Sequence, residues 1–281
     1  MDRGAEGSSA VCGNNQLMRI ATVAAPFQRG IQPSFKNVAR ALGRARREGA
    51  SLLVLPECAL GGYGGDAIEP DGPEIGLLCD MAGDMVVCTG YTELTAGTPH
   101  SAAVCVSGEG VLGRHRKVHV PPSEAGFYTP GEGFAAFDTP LGRVGMLLCY
   151  DKVFPEAALA LALDGAQIVA SMAAWPVCRT NPAPRIGDDR QTRQFNLLDQ
   201  ARALENQMVW ASANHCGTYS GLTFLGHAKV VDQGGIVQAR THARAGMAVA
   251  EVDISRALGR GTPYHHLSDR RPSAYPLAAP A

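Results

Sequence analysis

Net charge is almost absent. The 281 residues carry 25 Lys and Arg against 26 Asp and Glu, a formal net charge of −1. A nucleic-acid or anionic-membrane partner would have no basic surface to grip. The one local cluster, Arg44–Arg47, reads as the wet face of a helix. Paired cysteines are missing too: Cys12, Cys58, Cys79, Cys88, Cys105, Cys149, Cys178 and Cys216 include no CxxC pair and no regular framework. That excludes a disulfide scaffold, and no His or Cys shows zinc-type spacing, so neither a metal nor a cofactor is expected. Several of these thiols sit in apolar runs as small hydrophobes, and a reduced, cytoplasmic compartment is the simplest reading.

No basic n-region followed by an apolar core opens the chain, so a secretory signal is not expected. Residues 1–17, polar and small, read as a disordered leader. A long uninterrupted apolar run is absent as well. Ala157–Val177 comes nearest, but Asp164, Gly165 and Gln167 break it at its middle, where a membrane span tolerates charge least. A helix followed by a buried strand accounts for it.

What is present is enough apolar material, 46% of residues, to bury a full core. We read one domain over 18–281, with a tail from about residue 262. Strand-length apolar runs recur at 19–25, 51–55, 85–91, 101–107, 111–116, 143–149, 167–172, 208–213, 227–231 and 248–252. Helical patterns fall at 32–48, 74–82, 154–163 and 192–206. Continuous apolar strands imply sheets covered on both faces, and neighbouring strands without a helix between them imply mixed sheets. Two long irregular stretches, 116–133 and 176–190, have the length at which loops in a compact domain usually serve function.

Three residues stand at strand ends. Cys149 closes the run GRVGMLLC and is followed by a polar turn and Pro155, so its thiol sits at a strand-to-helix elbow, a mount for a nucleophile. Glu57 follows the strand SLLVLP and precedes the glycine-rich ALGGYG. Lys117 ends a β pattern before two prolines. Taken singly, each has a plainer reading: core cysteine, surface acid, solvated basic face. Together they form a sufficient set for attack on a carbonyl, with a base, an ammonium for the developing oxyanion and a thiol.

The segments LLVLPECALGGY, GRHRKVHVPP and GMLLCYDKVFPEAAL, in that order and at these separations, resemble the three signature blocks of the nitrilase superfamily of carbon–nitrogen hydrolases. The similarity runs from about Arg19 through RALENQMVWASAN to LSDRRPSAYP. The resemblance implies an α/β fold, a four-layer α-β-β-α sandwich with two mixed sheets. It also implies Glu57 as general base, Lys117 as oxyanion stabiliser, Cys149 as nucleophile and the backbone N–H of Tyr150 as second oxyanion donor. Glu124, in SEAGFYTPG, matches a second glutamate of the family that lies near the lysine.

CYDKVFPE lacks the Trp-Glu that typically follows the cysteine of true nitrilases, and FDTPLGRVG is similar to the ω-amidase group. We therefore expect hydrolysis of a small linear amide or N-carbamoyl amine through a cysteine thioester. An amine acyltransferase, a nitrilase acting on a small nitrile and a catalytically silent binding protein are the alternatives. For the pocket, Trp175 and Phe195 are expected to form an apolar wall. Asp188 and Asp189 either recruit an amine-bearing substrate or cap the next helix. His119 and His215 are read as packing or pocket lining, and Asp151 as a cap on the elbow. The family further implies a homodimer or higher homo-oligomer, with the tail docking on a neighbour.

Overall fold

The computed structural model describes residues 16–219 and 221–275. The leader expected over 1–17 therefore lies outside the described residues except for its last two, and the first strand already opens at Leu17.

In chain order the first half comprises β1 (Leu17–Ala24), α1 (Ile31–Arg47), β2 (Leu52–Val54), β3 (Ala67–Ile68), α2 (Pro73–Ala82), β4 (Val86–Thr95), β5 (Thr98–Ser107) and β6 (Gly110–Arg116). The second half comprises β7 (Phe137–Thr139), β8 (Gly142–Leu148), α3 (Pro155–Leu163), β9 (Ile168–Ala173), α4 (Arg190–Asn206), β10 (Val209–Asn214) and a hairpin of β11 (Cys216–Tyr219) and β12 (Leu222–Leu225). It ends with β13 (Lys229–Val231), β14 (Val237–Arg240) and β15 (Gly246–Asp253).

Two mixed sheets result. In the first, β1, β2 and β4 run parallel, β5 and β6 continue antiparallel from β4, β3 joins β4, and β15 returns antiparallel to β1. The second has parallel β8, β9 and β10, edged by antiparallel β7 on one side and β13 and β14 on the other. Edge to edge, the sheets are joined through a single ladder pair, Ala24 and Asn214.

Side-chain alternation turns these sheets into four layers. Ile20, Leu52, Val54, Val86 and Cys88 face inward and meet Val144, Met146, Leu148, Ile168, Ala170 and Met172 of the other sheet. The opposite faces bury Ala21, Leu53 and Val87 under α1 and α2, and Leu147, Val169 and Trp210 under α3 and α4. In α1 the inward residues Phe35, Val38, Leu42 and Ala45 recur at helical spacing, and Arg44, Arg46 and Arg47 occupy the exposed last turn, where they complement the helix dipole. The expected sandwich of two mixed sheets is the observed fold.

Element bounds shift where a local rule overrides apolar content. The strand read from His227 begins only at Lys229, because His227 has φ of 58°, outside the β region. No helix among the described residues is long and apolar enough to cross a membrane.

Candidate active site

A parallel strand of each sheet delivers one functional residue beyond its carboxyl end, and the antiparallel β6 delivers a third. Beyond β2 the chain turns through Pro56 into Glu57, whose backbone lies directly on β4 at Gly90. A Cβ there would come within 2.6 Å of the Glu57 Cα and of the Cys58 nitrogen. Only glycine permits this approach, and it fixes where the carboxylate stands. Lys117 follows β6 directly, and its N–H donates to the Ser101 carbonyl at 2.8 Å. Cys149 follows β8 and starts a short 3₁₀ turn, Cys149–Val153. Its φ of 46° is left-handed, a conformation that costs a non-glycine residue on the order of 1 kcal/mol and is concentrated at functional sites.

Glu57 is fully enclosed and satisfied by three donors. Its Oε1 accepts from the Lys117 ammonium at 2.8 Å and from the Ser101 hydroxyl at 3.0 Å, and its Oε2 accepts from the Ala174 N–H at 3.0 Å. Lys117, with no exposed surface, also donates to Glu124 Oε2 at 2.7 Å. The Tyr63 hydroxyl donates to the other Glu124 oxygen at 2.7 Å. Burial alone would lower the Lys117 pKa, but the carboxylates of Glu57 and Glu124 hold it well above its ordinary value. Glu124 is raised by burial and by the Glu57 charge, against the pull of Lys117. The Cys149 thiol is also pushed well up, first by burial and then by Glu57, with Lys117 opposing.

Behind Glu57 sits His215, fully buried. Its Nε2–H donates to the Glu57 carbonyl at 2.6 Å, and the Tyr219 hydroxyl donates to its Nδ1. That pattern requires the neutral imidazole, and burial pulls its pKa down to about 4, only partly offset by the bond to Glu57. The sign of the linkage follows. Between pH 6.5 and about 4 the unfolded chain binds a proton that the native state refuses, so stability rises with pH across this window and is lost on acidification. The limit is on the order of 3 kcal/mol. Thermal unfolding from pH 7 to pH 5 should show a steeper loss for the wild type than for His215→Gln, and equal slopes would remove His215 from this account.

Asp151 ties the elbow to the lysine strand. One carboxylate oxygen accepts from the Leu148 N–H at 3.2 Å and lies 3.1 Å from His115 Nε2, while the other accepts from the His119 N–H at 2.8 Å. Burial works against its ionised form, but the bonds to His115 and His119 outweigh it and bring the pKa down to about 2. The expected cap is present, and it also clamps the residues on either side of Lys117. His119 stacks on Phe154 with centroids 3.7 Å apart, so it packs behind the site and does not line it.

A cavity of about 730 Å³ opens on this cluster and is lined among others by Tyr63, Glu124, Cys149, Tyr150, Trp175 and Arg190. Glu124, Tyr150 and Trp175 thus line one cavity with Cys149. Phe195 does not. It is fully buried beneath Trp175, edge-on at 5.6 Å, because α4 turns that face into the molecule. Asp189 is likewise buried: Oδ1 accepts from the N–H groups of Gln191 and Cys178, and Oδ2 from that of Ala183. It is the N-cap of α4 and the anchor of the 176–190 loop, buried out of reach of a substrate amine. Tyr63, Ser101 and His215's hold on Glu57 went unread, since nothing in their local sequence points at a residue dozens of positions away.

The family model described as Carbon-nitrogen hydrolase matches residues 10–259. An (R)-stereoselective amidase of Pseudomonas sp. is 33% identical over 229 residues, 78% of this chain and 79% of that protein. A nitrilase of Pyrococcus abyssi is 29% identical over 235 residues, 79% of this chain and 84% of its own. Among solved structures, an amidase from Nesterenkonia sp. superposes with a TM-score of 0.77 at 26% identity, covering 95% of this chain and 98% of that one. Fold and enclosed polar site together define a hydrolase acting on carbon–nitrogen bonds. The chain belongs to the carbon–nitrogen hydrolase family of the nitrilase superfamily.

Proposed function

We propose that the protein hydrolyses small linear amides or N-carbamoyl amines, with Cys149 as nucleophile, Glu57 as general base and acid, and Lys117 as oxyanion donor. The supporting observation is the buried contact of Lys117 with Glu57 at 2.8 Å and with Glu124, which lines the same cavity as Cys149.

The cycle balances without further groups. Glu57 takes the thiol proton as sulfur attacks the carbonyl carbon, and the oxygen's charge develops towards Lys117 and the Tyr150 N–H. Glu57 then returns the proton to the departing nitrogen, which leaves as ammonia or an amine, and a thioester remains. Water, deprotonated by Glu57, attacks the thioester, and collapse expels the thiolate, which recovers its proton. Glu124 holds the far side of Lys117 and is oriented by Tyr63. Ammonia release across amides, N-carbamoyl amines and nitriles tests the reading; activity confined to nitriles would reject it. Hydroxamate formation with added hydroxylamine would measure how readily the thioester passes to an amine.

Substrate charge follows from the correction at Asp189. With that acid turned inward, the charged side chains lining the cavity are Glu124, already engaged by Lys117, and the exposed Arg179 and Arg190. The Arg190 guanidinium contacts the Cys178 sulfur at 3.3 Å. A substrate with a carboxylate remote from the scissile bond complements this mouth, whereas a cationic amine does not. Arg179→Ala/Arg190→Ala should raise KM for carboxylate-bearing amides by about tenfold or more, with little change for neutral ones. Equal effects on both classes would sink the preference.

A further inference from the structure

Three charged side chains with no place in this cycle lie behind the nucleophile turn. Lys152, three residues beyond Cys149 in the same 3₁₀ turn, is fully buried and donates to Asp199 Oδ1 of α4 at 2.7 Å. Lys229 of β13, also buried, donates to Asp199 Oδ2, and the Trp210 indole N–H donates to Oδ1 at 2.9 Å. Both ammonium groups lie over the face of Phe195, 3.3 and 4.1 Å from its centroid, and Lys152 is 5.3 Å from that of Trp175. One turn along α4, Arg202 donates to the carbonyls of Lys152 at 3.1 Å and Val153 at 3.0 Å. Residues 199 and 202 thus grip the nucleophile turn by side chain and by backbone at once.

Burying three charges is costly, and two ammonium groups against one carboxylate leave one positive charge in excess. A hydrophobic trio of the same volume would have packed the helix as well. The other side of Cys149 has the opposite imbalance, since Glu57 and Glu124 outnumber Lys117 by one. We propose that Lys152, Asp199 and Lys229 form a cationic support beneath the nucleophile turn, positioning residues that offset the surplus negative charge of Glu57, Lys117 and Glu124 and so favour the Cys149 thiolate. This rests on Cys149 being the nucleophile.

The other charged or titratable groups around the turn are accounted for. Asp151, in the turn itself, is satisfied by His115 and His119; Arg202 is paired with Glu205 at 2.8 Å; Arg240 sits across from Lys229 in the β13–β14 ladder; and His227 precedes that strand. Burial brings Lys229 down to about 8, so it is protonated at neutral pH.

The test measures alkylation of Cys149 by iodoacetamide against pH in the full chain, with the adduct located by peptide mass so that other thiols do not contribute. Lys229→Met touches neither the turn nor the cavity. It should move the alkylation midpoint up by about one pH unit and lower kcat more than it raises KM, while Lys229→Arg should keep the wild-type midpoint. A folded Lys229→Met protein with an unmoved midpoint overturns the proposal. A thiol that alkylates normally while C149A retains activity would instead overturn the nucleophile assignment beneath it. Should Lys229→Met fail to fold, Lys229→Gln decides, since it removes the charge and keeps a donor for Asp199: a folded Lys229→Gln protein with the wild-type midpoint overturns the proposal.

Discussion

Cys149→Ala should leave a folded protein that releases no measurable ammonia. Removing a covalent nucleophile costs on the order of 10⁴-fold to 10⁶-fold in turnover when base and oxyanion donors remain. The substitution deletes one sulfur from a half-buried site and keeps the left-handed backbone that Cys149 already adopts, so unfolding should change by about 1 kcal/mol or less. Mass spectrometry should lose the acyl adduct in the same variant. The experiment has a real rival to exclude. Cys178 lines the same cavity, and hydrogen bonds from the Asn181 backbone and the Thr180 hydroxyl, with Arg190 adding its charge, hold its thiol below the ordinary value. By that criterion alone Cys178 is the more reactive thiol. It lacks the remainder of the set: it is buried in the loop anchored by Asp189, and the groups that act on its thiol are Asn181, Thr180 and Arg190, not Glu57 or Lys117. Residual activity in Cys149→Ala that Cys178→Ala abolishes would transfer the nucleophile to Cys178 and dismantle the mechanism.

Much of this arrangement was legible in the sequence because buried parallel strands write themselves as apolar runs and because the carboxyl end of such a strand is where the chain leaves the sheet. Cys149 follows such a strand immediately and Glu57 follows one after two intervening residues, while Lys117 follows the antiparallel β6, so three local patterns singled out residues that the fold gathers from distant positions. Partners across the fold left no such trace. Lys152 and Lys229 sit inside or beside apolar runs, and a lone lysine there reads as a solvated interruption until Asp199 is seen between them. Asp189 shows a different limit, since local sequence left two roles open. Its position in a polar loop fitted a binding acid or a helix cap, and the cap is what stands: three backbone N–H groups engage its carboxylate, and the neighbouring Arg190 lines the cavity instead. The β11–β12 hairpin passed unread since its strands have four residues each and are partly exposed, too short for alternation to register.

Lys117→Met should fail in two separable ways. Loss of one oxyanion donor costs about 10²-fold to 10³-fold in kcat. The second effect is on stability. Lys117 lies between two carboxylates with no exposed surface of its own, and removing one member of a buried ionic group costs about 3–5 kcal/mol because its partners stay buried and unpaired. Loss of activity alone would therefore prove little. Lys117→Met combined with Glu57→Gln resolves it: with one carboxylate neutralised, the glutamine still accepts from Ser101, and thermal stability should recover by a substantial part of the loss. Turnover should fall further, since the base is gone as well. Recovery of both would make Lys117 a structural counter-ion and remove it from the chemistry. Recovery of stability with deeper loss of turnover is the pattern expected of a lysine that balances Glu57 at rest and the substrate oxygen during attack.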